Sequence, residues 1–165
     1  MPISHPFGPI ADHNSRILIL GTFPSVKSRE NQFYYGHPQN RFWQVIASIL
    51  NLPMPQTVEE KTDMLLKNGI ALWDVLLSCD ISGSADSSIK NAVPNDIASL
   101  VRSFPIERIF GNGAEACKLY NRYVLPSTGI DITGLPSTSP ANAAFGLERL
   151  CRIWLNALNT EGDQI

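Results

Sequence analysis

"SRILILG" (Ser15–Gly21) decides how the rest of this chain is read. A short apolar run that ends in glycine fits a buried strand of a parallel sheet, because strands covered on both faces read as continuous hydrophobics, not as alternating ones. It runs straight into "GTFPSVKSRENQFYYGHPQNRFW" (Gly21–Trp43), where aromatic rings, prolines, glycines and the basic side chains Lys27, Arg29, His37 and Arg41 crowd together. That segment holds too many breakers for a helix and too many aromatics for a plain linker. Further on, "NRFWQVIASIL" (Asn40–Leu50) repeats Phe42, Val45, Ile46 and Ile49 at helical spacing. Asn40 stands at its expected N-cap.

The same alternation continues along the chain. Thr57 and Glu60 in "TVEEKTDMLLKNG" have the spacing of a capping box, and Gly69 closes that helix. "IALWDVL" (Ile70–Leu76) reads as a second strand, and a polar stretch separates it from a helix starting near Asn95 or Asp96. "IERIFGNG" is a third strand and turn, followed by a helix from Ala114. "GIDITGLPSTSPANA" gives a fourth strand and a loop, and "FGLERLCRIWLNALN" a closing helix with Leu147, Leu150, Ile153, Trp154 and Leu158 on one face. Strands alternating with helices predict a three-layer α/β/α sandwich around a four-stranded, mainly parallel sheet. One domain is expected over 1–165, with a lead at 1–14 and a tail at 159–165.

The composition narrows the function classes. A hydrophobic content of 44% and a charged content of 17% describe an ordinary globular protein. No apolar run approaches the roughly 18 residues of a membrane span, and the N-terminus lacks the basic-then-apolar pattern of a signal peptide. The cytosol is the expected compartment, and a monomer the expected state. Cys79, Cys117 and Cys151 are widely spaced, so buried free thiols are expected, with neither metal nor cofactor. A net charge of −2 argues against a general polyanion binder but leaves room for a local basic groove.

Ligands of such sheets bind beyond the carboxyl ends of the strands. That rule gathers four turns: the loop after Gly21, the residues around Asp74, "GNGAEA" (Gly111–Ala116) and "LPSTSPAN" (Leu135–Asn142). "GNGAEA" matches a dinucleotide-binding fingerprint on paper, with Asp131 downstream, but Asp131 falls at the start of its strand and not at the end. A tight turn with Asn112 facing the crevice is the other reading. The loop Ser137, Thr138, Ser139 can either contact a phosphate or cap the last helix. Asp74 lies between Trp73 and Val75, where an unpaired carboxylate is costly to bury, so it needs a side-chain donor, a helix N-terminus or a ligand. His37 is the histidine expected near the crevice, with His5 and His13 left in the lead. Tyr35, beside Gly36, suits stacking on a planar ring.

In this order, "GTFPS", "GHPQNRFW" and "LPSTSP" resemble the motifs of the uracil-DNA glycosylase superfamily, especially its hypoxanthine-DNA and mismatch-specific branches, over about Arg16 to Leu158. The resemblance implies excision of a deaminated base from DNA after base flipping, with hypoxanthine first and uracil second, and without metal or cofactor. It places the catalytic amide at Asn40, the stacking aromatic at Tyr35 and a base-edge reader at Asp74. Thr22 and Phe23 fall in the first motif, where many relatives carry a water-directing Asn or Asp. Leu135 replaces the His or Asn that often opens the second motif. Base contacts are therefore expected from Thr22, Phe23, Tyr35, Asp74 and Asn112. DNA contacts are expected from Ser25, Lys27, His37, Ser137, Thr138 and Ser139. Two other readings stay open: a small-molecule nucleotide-binding domain, and a lesion binder without catalysis.

Overall fold

The computed structural model describes residues 2–159, so the expected tail beyond residue 159 lies outside the described residues. In chain order the strands are β1 (Ile3–Ser4), β2 (Ile17–Gly21), β3 (Ile70–Asp74), β4 (Leu76–Asp80), β5 (Lys90–Pro94), β6 (Arg108–Asn112) and β7 (Ile132–Leu135). The helices are α1 (Val26–Asn31), α2 (Phe42–Leu50), α3 (Val58–Lys67), α4 (Ile97–Ser103), α5 (Ala114–Tyr123), α6 (Leu125–Thr128) and α7 (Leu147–Leu158).

The main sheet is four-stranded and wholly parallel, in the order β3-β2-β6-β7. Side-chain alternation along β2 divides the core into two layers, as the period of a strand requires. Ile19 points with Leu72 and Phe110 toward Phe42 and Ile46 of α2, Leu65 of α3 and Leu150 and Trp154 of α7. Leu18 and Leu20 point the other way, toward Ile97 and Leu100 of α4 and Leu119 and Tyr120 of α5. This is the expected three-layer sandwich. Thr57 and Glu60 make the expected capping box on α3.

The chain steps from β2 outward to β3, then crosses to the other side of β2 to form β6. Strand order therefore reverses between β2 and β6, and a crevice opens beyond their carboxyl ends. Pairing of Gly21 with Asp74, and of Asn112 with Leu135, brings all four strand ends to one rim.

Two regions depart from the sequence reading. The polar stretch after β3 was expected to carry no strand, yet β4 and β5 pair there antiparallel, and β1 joins β4 on its other side. These strands are short, and β5 is mostly exposed, so no hydrophobic alternation announces them. The supposed lead at 1–14 is also built into the fold. Ile10 bridges Leu72, and Gly8 O accepts from the Tyr34 hydroxyl (2.7 Å), which covers the outer edge of the main sheet. Asn40 is not the N-cap of α2 either. That position is Arg41, while Asn40, one residue earlier, accepts the N–H of Phe42 (2.9 Å).

Candidate active site

A cavity of about 370 Å³ opens at the strand-order reversal. Its size suits a small planar ligand. Gly21 and Thr22 come from the end of β2, Asp74 from β3 and Asn112 from β6. Tyr35, His37 and Asn40 come from the loop before α2, and Ser137, Thr138 and Ser139 from the loop after β7. Four turns remote in sequence thus meet in one place, as the crevice rule anticipates.

Asn40 is held by a directional chain of hydrogen bonds. Asn112 Nδ2 donates to Thr138 Oγ1 (3.0 Å), and Thr138 Oγ1 donates to Asn40 Oδ1 (2.8 Å). Thr138 N–H returns a bond to Asn112 Oδ1 (3.0 Å). Because a backbone N–H can only donate, the bond from Phe42 N–H identifies the acceptor of the Asn40 amide as its oxygen. Both lone pairs of that oxygen are then occupied. Asn40 can offer the cavity only its N–H groups, so this carbonyl does not orient a water molecule.

The loop that carries Asn40 is stitched to the loop after β7. Arg41 N–H donates to Thr138 O (3.1 Å), and the Arg41 guanidinium donates to Ser139 O (2.9 Å), Asn142 O (3.2 Å) and Phe145 O. Trp154 Nε1 adds a bond to Pro136 O (2.9 Å). Arg29 is likewise engaged, donating to Gly83 O (2.6 Å) and Pro24 O (3.2 Å) and lying over the Phe23 ring. These two cations brace loops. Thr138 is fully buried with its hydroxyl committed, so its side chain cannot lie against a phosphate as expected. Its neighbours line the cavity, Ser137 Oγ accepting from Ser139 N–H and Ser139 Oγ from Ala141 N–H (both 3.1 Å).

Asp74 has the partner that the sequence left open. His5 Nε2 lies 2.8 Å from Asp74 Oδ2, both side chains being almost wholly buried, at 1% and 5% exposure. Phe7 N–H points at His5 Nδ1 (3.5 Å), which leaves the proton on Nε2 to be donated to the carboxylate. His5 therefore supports a cavity-lining carboxylate, although the sequence reading leaves it in the lead. No motif announces it; the one signal was the need of a buried Asp74 for a donor. His37 does line the cavity, as expected, with Nδ1 accepting from Gln39 N–H (3.1 Å).

Tyr35 adopts φ +52°, a left-handed conformation that costs a non-glycine residue energy. Its ring stacks on Phe42 at 4.2 Å between centroids, so Phe42 occupies one of the faces expected to be available for stacking. Its hydroxyl is buried and unpartnered. Burial pushes the phenol far above its ordinary range, the Asp74 charge adds to this, and the nearby Asn112 amide opposes it. It stays protonated. Thr22 and Phe23 are buried and line the cavity, Phe23 with its outer side in the second core layer. Ser25 also lines it, but its side chain caps α1 by accepting from Ser28 N–H (3.2 Å). Lys27, on α1, is exposed and paired with Glu30 at 3.6 Å, away from the cavity wall.

Asp86 is a further carboxylate at the cavity, contributed by the turn between β4 and β5. The residue is exposed, yet loss of hydration around its carboxyl pushes the pKa up to about 6, with Glu115 and Asp74 adding and the Thr22 hydroxyl opposing. "GNGAEA" proves to be the tight turn. A Cβ at Gly111 would press on Cys117 and Ile132, and Asp131 precedes β7 at the rim opposite the cavity.

Known proteins resemble this chain over most of its length. The family model of the uracil DNA glycosylase superfamily matches residues 7–158. A hypoxanthine DNA glycosylase of Methanosarcina acetivorans is 36% identical over 149 residues, covering 89% of this chain and 93% of the relative. One from Methanosarcina barkeri is 32% identical, covering 82% and 86%. A solution NMR structure from Methanosarcina acetivorans, provisionally described as a uracil DNA glycosylase, superposes with a TM-score of 0.79 at 34% identity, covering 94% of this chain and 95% of its own. With a family model spanning nearly the whole fold and relatives matched over most of their length, this chain belongs to the uracil DNA glycosylase superfamily.

Proposed function

We propose that this protein is a DNA N-glycosylase that releases hypoxanthine from DNA, with uracil as a second substrate. The observation that carries the reading is the fixed Asn40 amide, whose oxygen is doubly bonded and whose N–H groups are left for the cavity. A base inside a duplex is out of reach, so it must be flipped into the cavity at a cost of a few kcal/mol, less for a mispaired base. Cleavage of the glycosidic bond builds negative charge on the departing base. A preorganised N–H donor stabilises that charge without reorganising as the reaction proceeds. Asp74, on the cavity floor, accepts the N–H of a lactam base. Ser25, Lys27, His37, Ser137 and Ser139 are proposed to face the DNA backbone. The names of the Methanosarcina relatives support hypoxanthine as the base.

The test is incubation with duplex oligonucleotides containing inosine, uracil, xanthine or a mismatch, followed by alkaline cleavage of abasic sites. Hypoxanthine release at the highest single-turnover rate is expected. A strand that is bound but never cleaved would instead establish a silent lesion binder.

Asp86 gives this reading a pH dependence. A carboxyl with a pKa of about 6 gains its charge as pH rises through that value, which adds a negative group to a cavity that must receive a polyanion. DNA affinity should therefore fall between pH 5.5 and 7.5 at fixed salt. Asp86→Asn should bind more tightly than the parent at pH 7.5 and flatten this limb of the titration. Equal pH profiles for the two proteins would remove Asp86 from the DNA path.

A further inference from the structure

The cavity contains a polar group that the mechanism above does not use. Among the described residues, Tyr35 Oη is one of two buried side-chain polar atoms without a hydrogen-bond partner. The other, Asp80 Oδ1, belongs to a carboxylate whose second oxygen accepts from Asn91 (2.6 Å). Comparable aromatic groups nearby are satisfied: Tyr34 Oη by Gly8 O, Trp43 Nε1 by Tyr34 O, and Trp154 Nε1 by Pro136 O. A buried hydroxyl whose proton meets no acceptor is costly to the fold. Tyr35 bears a second cost in its left-handed backbone. Strain and an unmet donor in one residue point to a ligand that meets the donor.

Geometry identifies what it would meet. A Cβ added to Gly21 would collide with Asp74 Oδ1 and lie 2.8 Å from Tyr35 Oη, so both oxygens pack against this glycine at the end of β2. They do not bond to each other. Asp74 Oδ2 is already taken by His5, which leaves Oδ1 as the free acceptor. A carboxylate held in this way can accept an N–H but cannot donate to a carbonyl. The donor beside it is the Tyr35 hydroxyl, which its surroundings keep protonated.

We propose that Tyr35 is a specificity-determining residue whose hydroxyl donates to the carbonyl oxygen of the flipped base while Asp74 Oδ1 accepts the adjacent ring N–H. This rests on the glycosylase reading and adds to it the way the base is chosen. Deamination converts the edge of adenine, an amino group beside a bare ring nitrogen, into a carbonyl beside an N–H, and does the same to cytosine. A donor set beside an acceptor therefore matches hypoxanthine and uracil and mismatches their parents. A site built to bond a polar edge rejects a base that leaves its groups unpaired. Guanine and thymine share the matched edge and are held back by their own base pairs, which resist flipping.

The experiment compares Tyr35→Phe with the parent on duplexes containing deoxyinosine or the deoxyriboside of unsubstituted purine, which has neither the carbonyl nor the N–H. Phenylalanine keeps the ring and its stacking on Phe42. It also removes a buried unsatisfied group, so the variant should melt no lower than the parent. The single-turnover rate on deoxyinosine should fall about 10-fold, the worth of one good hydrogen bond. On purine it should change less than twofold, so the ratio of the two rates collapses by the same factor of about 10. Equal losses on both bases would make Tyr35 a packing residue and overturn the inference, as would no loss on either. Hypoxanthine release by the parent, with the ratio unchanged in the variant, would refute the role of Tyr35 and leave the glycosylase reading standing. No release by the parent would refute both.

Discussion

Asn40→Ala should lower the single-turnover rate of base release about 10²- to 10³-fold, the usual loss for one transition-state hydrogen-bond donor. Alanine also removes the bond to Phe42 N–H, which by itself costs about 1 kcal/mol of stability. Asn40→Asp separates the two effects. A carboxylate can still accept from Phe42 N–H and the Thr138 hydroxyl, and it suits the N-terminal end of α2, so the melting temperature should hold. It has no N–H to give, and it would place negative charge beside a departing anion. The aspartate variant should therefore be as inactive as the alanine variant while remaining as stable as the parent. Rates within a few fold of the parent for Asn40→Asp would show that the amide donor is not the source of the acceleration.

His5→Ala should destabilise the fold by about 3 kcal/mol, because it strips the hydrogen-bond donor from a buried carboxylate and leaves the charge in place. For a chain of this size that corresponds to a fall of roughly 6–12 °C in melting temperature. His5→Gln retains a donor on a side chain of similar reach and should recover part of the loss. A double-mutant cycle with Asp74→Ala gives the stricter check: the second substitution should cost little once His5 is gone, since the unpaired charge leaves with it. Additive losses in urea titrations would mean that the 2.8 Å contact contributes nothing beyond packing.

Legibility from sequence followed the strength of the local pattern. β2, β3 and β6 were readable because strands buried on both faces must be apolar, β7 from its place in the alternation of strands and helices, and α3 because Thr57 and Glu60 close their box within four residues. Once those strands were placed in one parallel sheet, the cavity followed, since strand ends converge whatever their side chains are. The residues lining it were anticipated in large part for that reason. Hydrogen-bond direction was not legible. Nothing in "HPQNRFW" or "LPSTSP" says that Thr138 spends its hydroxyl on Asn40, or that Arg41 faces inward to four carbonyls. The His5–Asp74 contact spans 69 residues, and His5 follows a two-residue strand too short to carry any periodicity. Asp86 sits in a polar turn of the kind that ordinarily marks solvent, and only the fold brings it back to the cavity.

The slenderness of that two-residue strand has a consequence for how the protein fails on warming. β1 is held to β4 by pairing at Ile3 and Ser4 alone, with His5 N–H bonding Leu77 O just beyond it, while the parallel sheet is closed on both faces. Segments with few buried contacts open at a free energy well below that of global unfolding. Detachment of this strand would carry His5 away from Asp74 and leave the sheet, the Asn40 bonds and the loop braces untouched. In the interval between that opening and the melting of the core, the Asn40 amide would stay fixed while Asp74 would lose the donor that orients its carboxylate. Amide exchange at His5 should report that interval directly, appearing at temperatures where Ile19 and Phe110 remain protected.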